Sequence, residues 1–103
     1  MSNLHDVVTG FAAKHPECAD GELVGDRCFA YSEAFVALLP EHDTEVVSGV
    51  WMNVEARIIY AGHAAARVDD QVYDWTARQF DPAAPVPLVT PLATWREMWK
   101  ALR

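Results

Sequence analysis

Basic charge is scarce in this chain of 103 residues: eight lysines and arginines stand against 15 aspartates and glutamates, for a net charge of −7. The basic residues are scattered singly, whereas a nucleic-acid binder needs a basic footprint to neutralise phosphates, so no nucleic acid is expected as a partner. An acidic surface also repels anionic lipid. Residues Met1 to Asp6 carry neither a cationic start nor a long apolar stretch, so neither a secretory signal nor a membrane span is read there, and a cytoplasmic protein without a membrane partner is expected. Cysteine is limited to Cys18 and Cys28, ten positions apart. That spacing lacks the paired CxxC rhythm of zinc ribbons and fingers. In a reducing cytosol both residues are thiols, while an oxidised Cys18–Cys28 bridge would disable the second as a nucleophile.

About half of the residues are apolar (51%), enough for one hydrophobic core without disulfides or structural metal, and residues 1–103 read as a single domain. Leu4, Val7, Val8, Phe11 and Ala12 fall at helical spacing before Pro16, which predicts an amphipathic helix over residues 3–14. Residues 16–27 read as an acidic, glycine-containing loop leading to Asp26, an expected N-cap. The run from Cys28 to Leu39 is apolar nearly all round and stops before Pro40, so it predicts a buried central helix. From Glu45 onward β-branched residues dominate, in Val46 to Trp51, Arg57 to Tyr60, His63 to Val68 and Val72 to Thr76, predicting three to four antiparallel strands. Residues 81–91 are proline-rich and read as an extended strap. A last helix over about 92–102 follows, with Thr94 and Glu97 at capping-box spacing and Leu92, Trp95, Trp99 and Leu102 as its apolar stripe. The expected class is α+β: an N-terminal helix, a buried helix carrying Cys28, an antiparallel sheet carrying His63 and Asp74, and a C-terminal helix.

The hairpin is the most informative segment. A turn at Asp69-Asp70 pairs Val68 with Gln71, Arg67 with Val72, Ala65 with Asp74 and His63 with Thr76. Strand alternation then puts His63 and Asp74 on one face as diagonal neighbours, and sets small Ala64 and Ala66 against bulky Trp75 and Tyr73 on the other. Cys28 falls in the first turn of the central helix, where unpaired N–H groups and the helix dipole favour a thiolate. Nucleophile, base and orienter are thus present on compatible elements: Cys28 attacks a carbonyl, His63 transfers the proton and Asp74 holds the ring. The same three residue types can bind zinc, but a triad needs no fourth ligand, and no metal or cofactor is expected. Cys18 reads as a bystander; His5, His15 and His42 as solvent-facing or capping; Arg67 and Arg78 as edge charges able to meet a substrate carboxylate; and the Trp95/Trp99 stripe as core.

Gly25-Asp26-Arg27-Cys28 opening a buried helix, Gly62-His63-Ala64 on a strand and Tyr73-Asp74-Trp75-Thr76 on the next resemble the core of the papain-like and transglutaminase-like superfamily, over about residues 23–80. The resemblance implies a Cys28-His63-Asp74 triad and thiol-dependent acyl transfer or amide hydrolysis on a protein or peptide substrate, as in cysteine proteases, glutamine deamidases and transglutaminases. Its alternative is a non-catalytic protein-interaction module on the same scaffold. Papain-type members place a glutamine ahead of the nucleophile to complete the oxyanion hole, and residues 1–27 contain none. A second donor must come from elsewhere, and Trp51 is the candidate through its indole N–H.

Overall fold

Apolar side chains at Leu4, Val7, Val8 and Phe11 give the first helix, α1 (Leu4–Lys14), a single greasy side that packs onto the core. Asn3 caps it, accepting the N–H of His5 at 2.8 Å, and Lys14 in the last turn complements the helix dipole. The computed structural model describes residues 3–53 and 58–101, the side chains of 51–61, 100 and 101 excepted. Among the described residues no helix is long and apolar enough to cross a membrane.

The central helix, α2, spans Cys28–Val36 and continues as turns to Leu39, so it is shorter than its apolar run. Arg27, not Asp26, is its N-cap, and it makes no side-chain capping hydrogen bond. The expected Asp26 cap is therefore absent. The helix start keeps its N–H groups for other acceptors.

Five antiparallel strands form one sheet in the order β4-β3-β2-β1-β5, with β1 at Thr44–Asn53, β2 at Ile58–Val68, β3 at Gln71–Asp74, β4 at Leu88–Pro91 and β5 at Lys100–Ala101. Two departures from expectation have simple causes. The two segments read separately around Ile58 and His63 are one continuous strand, because Ala61 and Gly62 stay extended opposite Trp51 and Val50. The end of the proline-rich strap pairs with β3, Leu88 opposite Asp74 and Pro91 opposite Gln71. Proline is tolerated there because β4 is an edge strand with only one neighbour to bond.

The turn at Asp69-Asp70 has the expected register: Val68 faces Gln71, Arg67 faces Val72 and Ala66 faces Tyr73. Asp69 takes a positive φ of 54°, a conformation that short polar residues accept. Arg67 locks this end, bonding Glu45 at 3.0 Å, Asp43 at 3.2 Å and the Asp69 carbonyl at 2.9 Å. The ladder stops at Tyr73, however, and Thr76 is not in a strand; after Asp74 the chain turns into a 3-10 helix, Ala77–Gln79.

Strand alternation sorts the core into two layers. Ala66, Val68, Tyr73 and Trp75 meet Phe11, Tyr31, Phe35 and Leu39 on one face. Val47, Ala65 and Val72 meet Trp95 and Trp99 on the other, carried by and just beyond the last helix, α3 (Leu92–Met98). Burying a side chain of this size is worth roughly 1.5–3 kcal/mol. The helix α3 starts from Pro91 without a side-chain cap and ends at Met98, so the Thr94–Glu97 box is not formed. Leu102 lies outside the described residues.

A seam between the 19–25 loop and the 3-10 helix fixes the end of the sheet. Arg78 donates to the carbonyls of Ala84 at 2.8 Å and Ala19 at 3.1 Å, which makes it a strap holder. Gly21 lies so close that a Cβ would stand 2.2 Å from the Arg78 oxygen and 2.7 Å from the Gln79 nitrogen. Backbone on both sides cannot yield cheaply, so Gly21→Ala is expected to destabilise the protein by about 1–3 kcal/mol. A lowered urea midpoint will show it; an unchanged midpoint will contradict the close approach.

Candidate active site

The short β3 shapes the site. Because its ladder ends at Tyr73, the edge of β2 beyond Ala66 has no strand partner on that side among the described residues, and α2 packs against β2. His63 acts on the Cys28 thiol, and the main-chain N–H groups of Ala64, on β2, and Phe29, in its own first turn, act on it as well. His63 is the largest influence and holds the thiol below its ordinary value against the opposing effect of partial burial, with the two N–H groups and the charge of His63 assisting.

His63 has a fully buried ring (0% exposed) whose Nε2 lies 2.6 Å from Asp74 Oδ2. The ring packs against Trp99, 4.8 Å away and tilted by 44°, and meets Phe80 nearly edge-on at 4.9 Å. Burial alone pushes a histidine down; here the bonds to Asp74 and Cys28, with their charges, outweigh it and raise His63 to about 9. The other carboxylate oxygen of Asp74, Oδ1, accepts the N–H of Thr76 at 3.1 Å. The turn that ends β3 therefore also fixes the orientation of the acid. Since Nε2 is committed to Asp74, Nδ1 is the ring nitrogen left to face the thiol.

Cys28, His63 and Asp74 are thus brought together, with the carboxylate on Nε2 of the ring. Among the described residues no group of three or more His, Cys, Asp or Glu side chains is gathered to hold a metal ion. The side chain of Trp51 lies outside the described residues. Cys18 is in the core (0% exposed) on a short 3-10 helix, Pro16–Ala19, rather than in an open acidic loop; burial first and the charge of Glu17 second push it up to about 11. His5 is exposed at the start of α1, His15 packs on Phe11, and His42 faces Asp69 at 3.2 Å. Neither Arg67 nor Arg78 reaches the triad by any hydrogen bond; both are tied to the main chain and, for Arg67, to carboxylates.

Three neighbours of the triad escaped sequence reasoning. Phe80 covers one edge of the imidazole while 42% exposed, and Phe29, next to Cys28, is 55% exposed. Gln79, on the 3-10 helix, brings its Nε2 to 3.4 Å from His63 Nδ1 and 3.0 Å from Thr76 Oγ1. The only signal for it was its place five residues past Asp74, in a stretch with no periodicity to follow. Gln79 also lines an open groove of about 700 Å³ with Gly21, Glu22, Gly25 and Pro82. No family model, curated protein or solved structure matches this chain.

Proposed function

We propose that the chain is a thiol-dependent amide hydrolase or acyltransferase of the papain-like and transglutaminase-like kind, with Cys28 as nucleophile, His63 as acid and base, and Asp74 as orienter. The observation that carries this is the buried His63, held by Asp74 at 2.6 Å on Nε2 and the largest influence lowering the Cys28 thiol. An inert core cysteine has no need of such a partner. Transfer of the thiol proton to the imidazole forms the charged pair that attacks.

In the proposed reaction the Cys28 thiolate forms a bond to the carbonyl carbon and the π electrons move to oxygen. Collapse of that intermediate breaks the C–N bond, and the imidazolium gives its Nδ1 proton to the departing amine, leaving a thioester. Water or a second amine then attacks the thioester while Nδ1 takes its proton; the C–S bond breaks and the thiolate–imidazolium pair returns. The first-turn N–H groups of α2 lie beside the attacking sulfur and favour the oxyanion. The solvent-facing Phe29 and Phe80 suit a protein or peptide substrate with an apolar side chain near the scissile amide. Free thiols suit a reducing compartment such as the cytoplasm.

Alkylation by iodoacetamide, followed by peptide mass spectrometry across pH, tests the reading. Cys28 is expected to label well below pH 8, whereas an unperturbed thiol, at about 8.5, is only a few per cent ionised near neutrality. Cys18, enclosed in the core, is expected to stay unlabelled until the protein unfolds. If Cys28 labels only at alkaline pH, the proposed chemistry is lost.

A further inference from the structure

We propose that Gln79 is the side-chain donor that completes the site: its carboxamide rests on His63 and turns toward the substrate's carbonyl oxygen when the thiolate–imidazolium pair forms. The inference rests on the acyl-transfer reading above and adds to it a residue that the Cys-His-Asp pattern does not contain. It begins with a competition for one atom. His63 Nε2 is taken by Asp74, so Nδ1 must serve both the thiol and Gln79, whose Nε2 stands 3.4 Å away. That separation is long for a hydrogen bond, and the contact is correspondingly weak.

The amide N–H group suits Nδ1 only while that nitrogen is an acceptor, in the uncharged dyad. Once the thiol proton has moved to Nδ1, two donors face each other and the contact is lost. A half-turn of the carboxamide resolves the conflict. Oε1 then accepts from Nδ1–H and from the Thr76 hydroxyl, and the NH₂ group moves to the side where Oε1 now stands. That side faces the loop leading into Cys28, because Oε1 is 3.9 Å from where a Cβ on Gly25 would be, an approach that the absent side chain leaves open. It is also the wall of the groove between Gly21, Gly25 and Pro82. The half-turn thus presents a free N–H donor toward the entry of the nucleophilic helix in the same step that creates the nucleophile. It supplies the donor that residues 1–27 lack, from the opposite end of the triad, and it assigns the groove to the substrate chain.

Two reagents separate this role from imidazole positioning. p-Nitrophenyl acetate acylates the thiolate through a tetrahedral oxyanion, forming the acetyl thioester and releasing p-nitrophenolate, whereas iodoacetamide alkylates the same sulfur by displacing iodide with no oxyanion. In Gln79→Leu the acylation rate is expected to fall about 10- to 100-fold, up to the range of a lost oxyanion donor, while alkylation of Cys28 at pH 7 stays within about twofold of the wild type. Gln79→Glu keeps an acceptor for Nδ1–H but has no N–H to offer, so it should label Cys28 at equal or lower pH and still acylate slowly. Unfolding midpoints for both variants report whether the fold is intact. If Gln79→Leu acylates at the wild-type rate, or loses acylation and alkylation in equal measure, the proposal for Gln79 is overturned while the Cys28–His63 chemistry stands. If the wild type itself neither acylates nor labels below pH 8, the acyl-transfer reading fails and takes Gln79 with it.

Discussion

His63→Gln is expected to reduce the labelling rate of Cys28 by up to about 10²-fold at pH 6, because an ordinary thiol with a pKa near 8.5 is less than about 1% ionised there. The wild-type thiol is held low chiefly by its bond to His63, and the N–H groups of Ala64 and Phe29 contribute less. Removing the imidazole therefore removes the leading cause and leaves two smaller ones. The variant retains some advantage over a free thiol, and the fall is smaller than complete loss of activation would give. Glutamine is the informative replacement because its amide can still donate to Asp74, which is 4% exposed and faces His63 at 2.6 Å. Alanine would instead leave a buried carboxylate with only the Thr76 N–H, a loss of about 3–5 kcal/mol for a broken buried pair. Lost reactivity in that variant would then be confounded with lost structure. Labelling of His63→Gln at the wild-type rate would show that the imidazole does not activate Cys28.

The hairpin was legible because two independent constraints agree on it. A two-residue turn fixes parity, and parity decides which side chains share a face. Val68 opposite Gln71 placed Ala65 and Val72 on one face with Trp95 and Trp99, and Ala66, Tyr73 and Trp75 on the other with α1 and α2. Once that is known, the meeting of His63 and Asp74 follows. What the pattern did not carry was where pairing stops. Val72 to Thr76 reads as one strand on β propensity, yet the chain leaves the ladder after Asp74, whose Oδ1 takes the N–H of Thr76 to start the turn. That local side-chain bond competes with the sheet. It opens the edge of β2 to the thiol, and it swings Gln79 back beside His63. The early departure from the ladder is thus what assembles the site, and a propensity scale has no term for it.

Helix ends were legible only in part for a related reason. Asn3 caps α1 through its side chain, as its residue type allows. At α2 the N-cap is Arg27, which makes no side-chain capping bond, and the carboxylate of Asp26 does not take its place. A capping rule looks for an oxygen that satisfies a helix start, and at α2 no capping side chain supplies one. At β4, a run holding three prolines between residues 85 and 91 speaks against a strand, and only the free edge of β3, invisible in the sequence, makes the pairing possible.

Asp74→Ala is expected to give the largest loss of stability, about 3–5 kcal/mol near neutral pH, since it leaves the fully buried His63 ring without its carboxylate. The pH dependence distinguishes this from a simple packing defect. His63 in the folded protein is raised to about 9 from an ordinary 6.5, so the folded state holds its proton more tightly than the unfolded chain. Stability from that source is fully present below about pH 6.5 and is lost as pH rises toward 9. Without Asp74, burial drives the ring toward its neutral form, and the variant instead loses stability as pH falls through 6.5 and the unfolded chain takes up the proton. The two proteins should therefore differ most at pH 6 and least above 9. Urea unfolding at pH 6, 7.5 and 9.5 measures this, with both proteins carrying Cys28→Ser so that the thiol does not titrate. The serine background removes one of the influences that raise His63, which moves the upper end of the window below 9 without changing the sign. A gap of equal size at all three pH values would mean that Asp74 holds no charge on His63, and the orienting role assigned to it would fall.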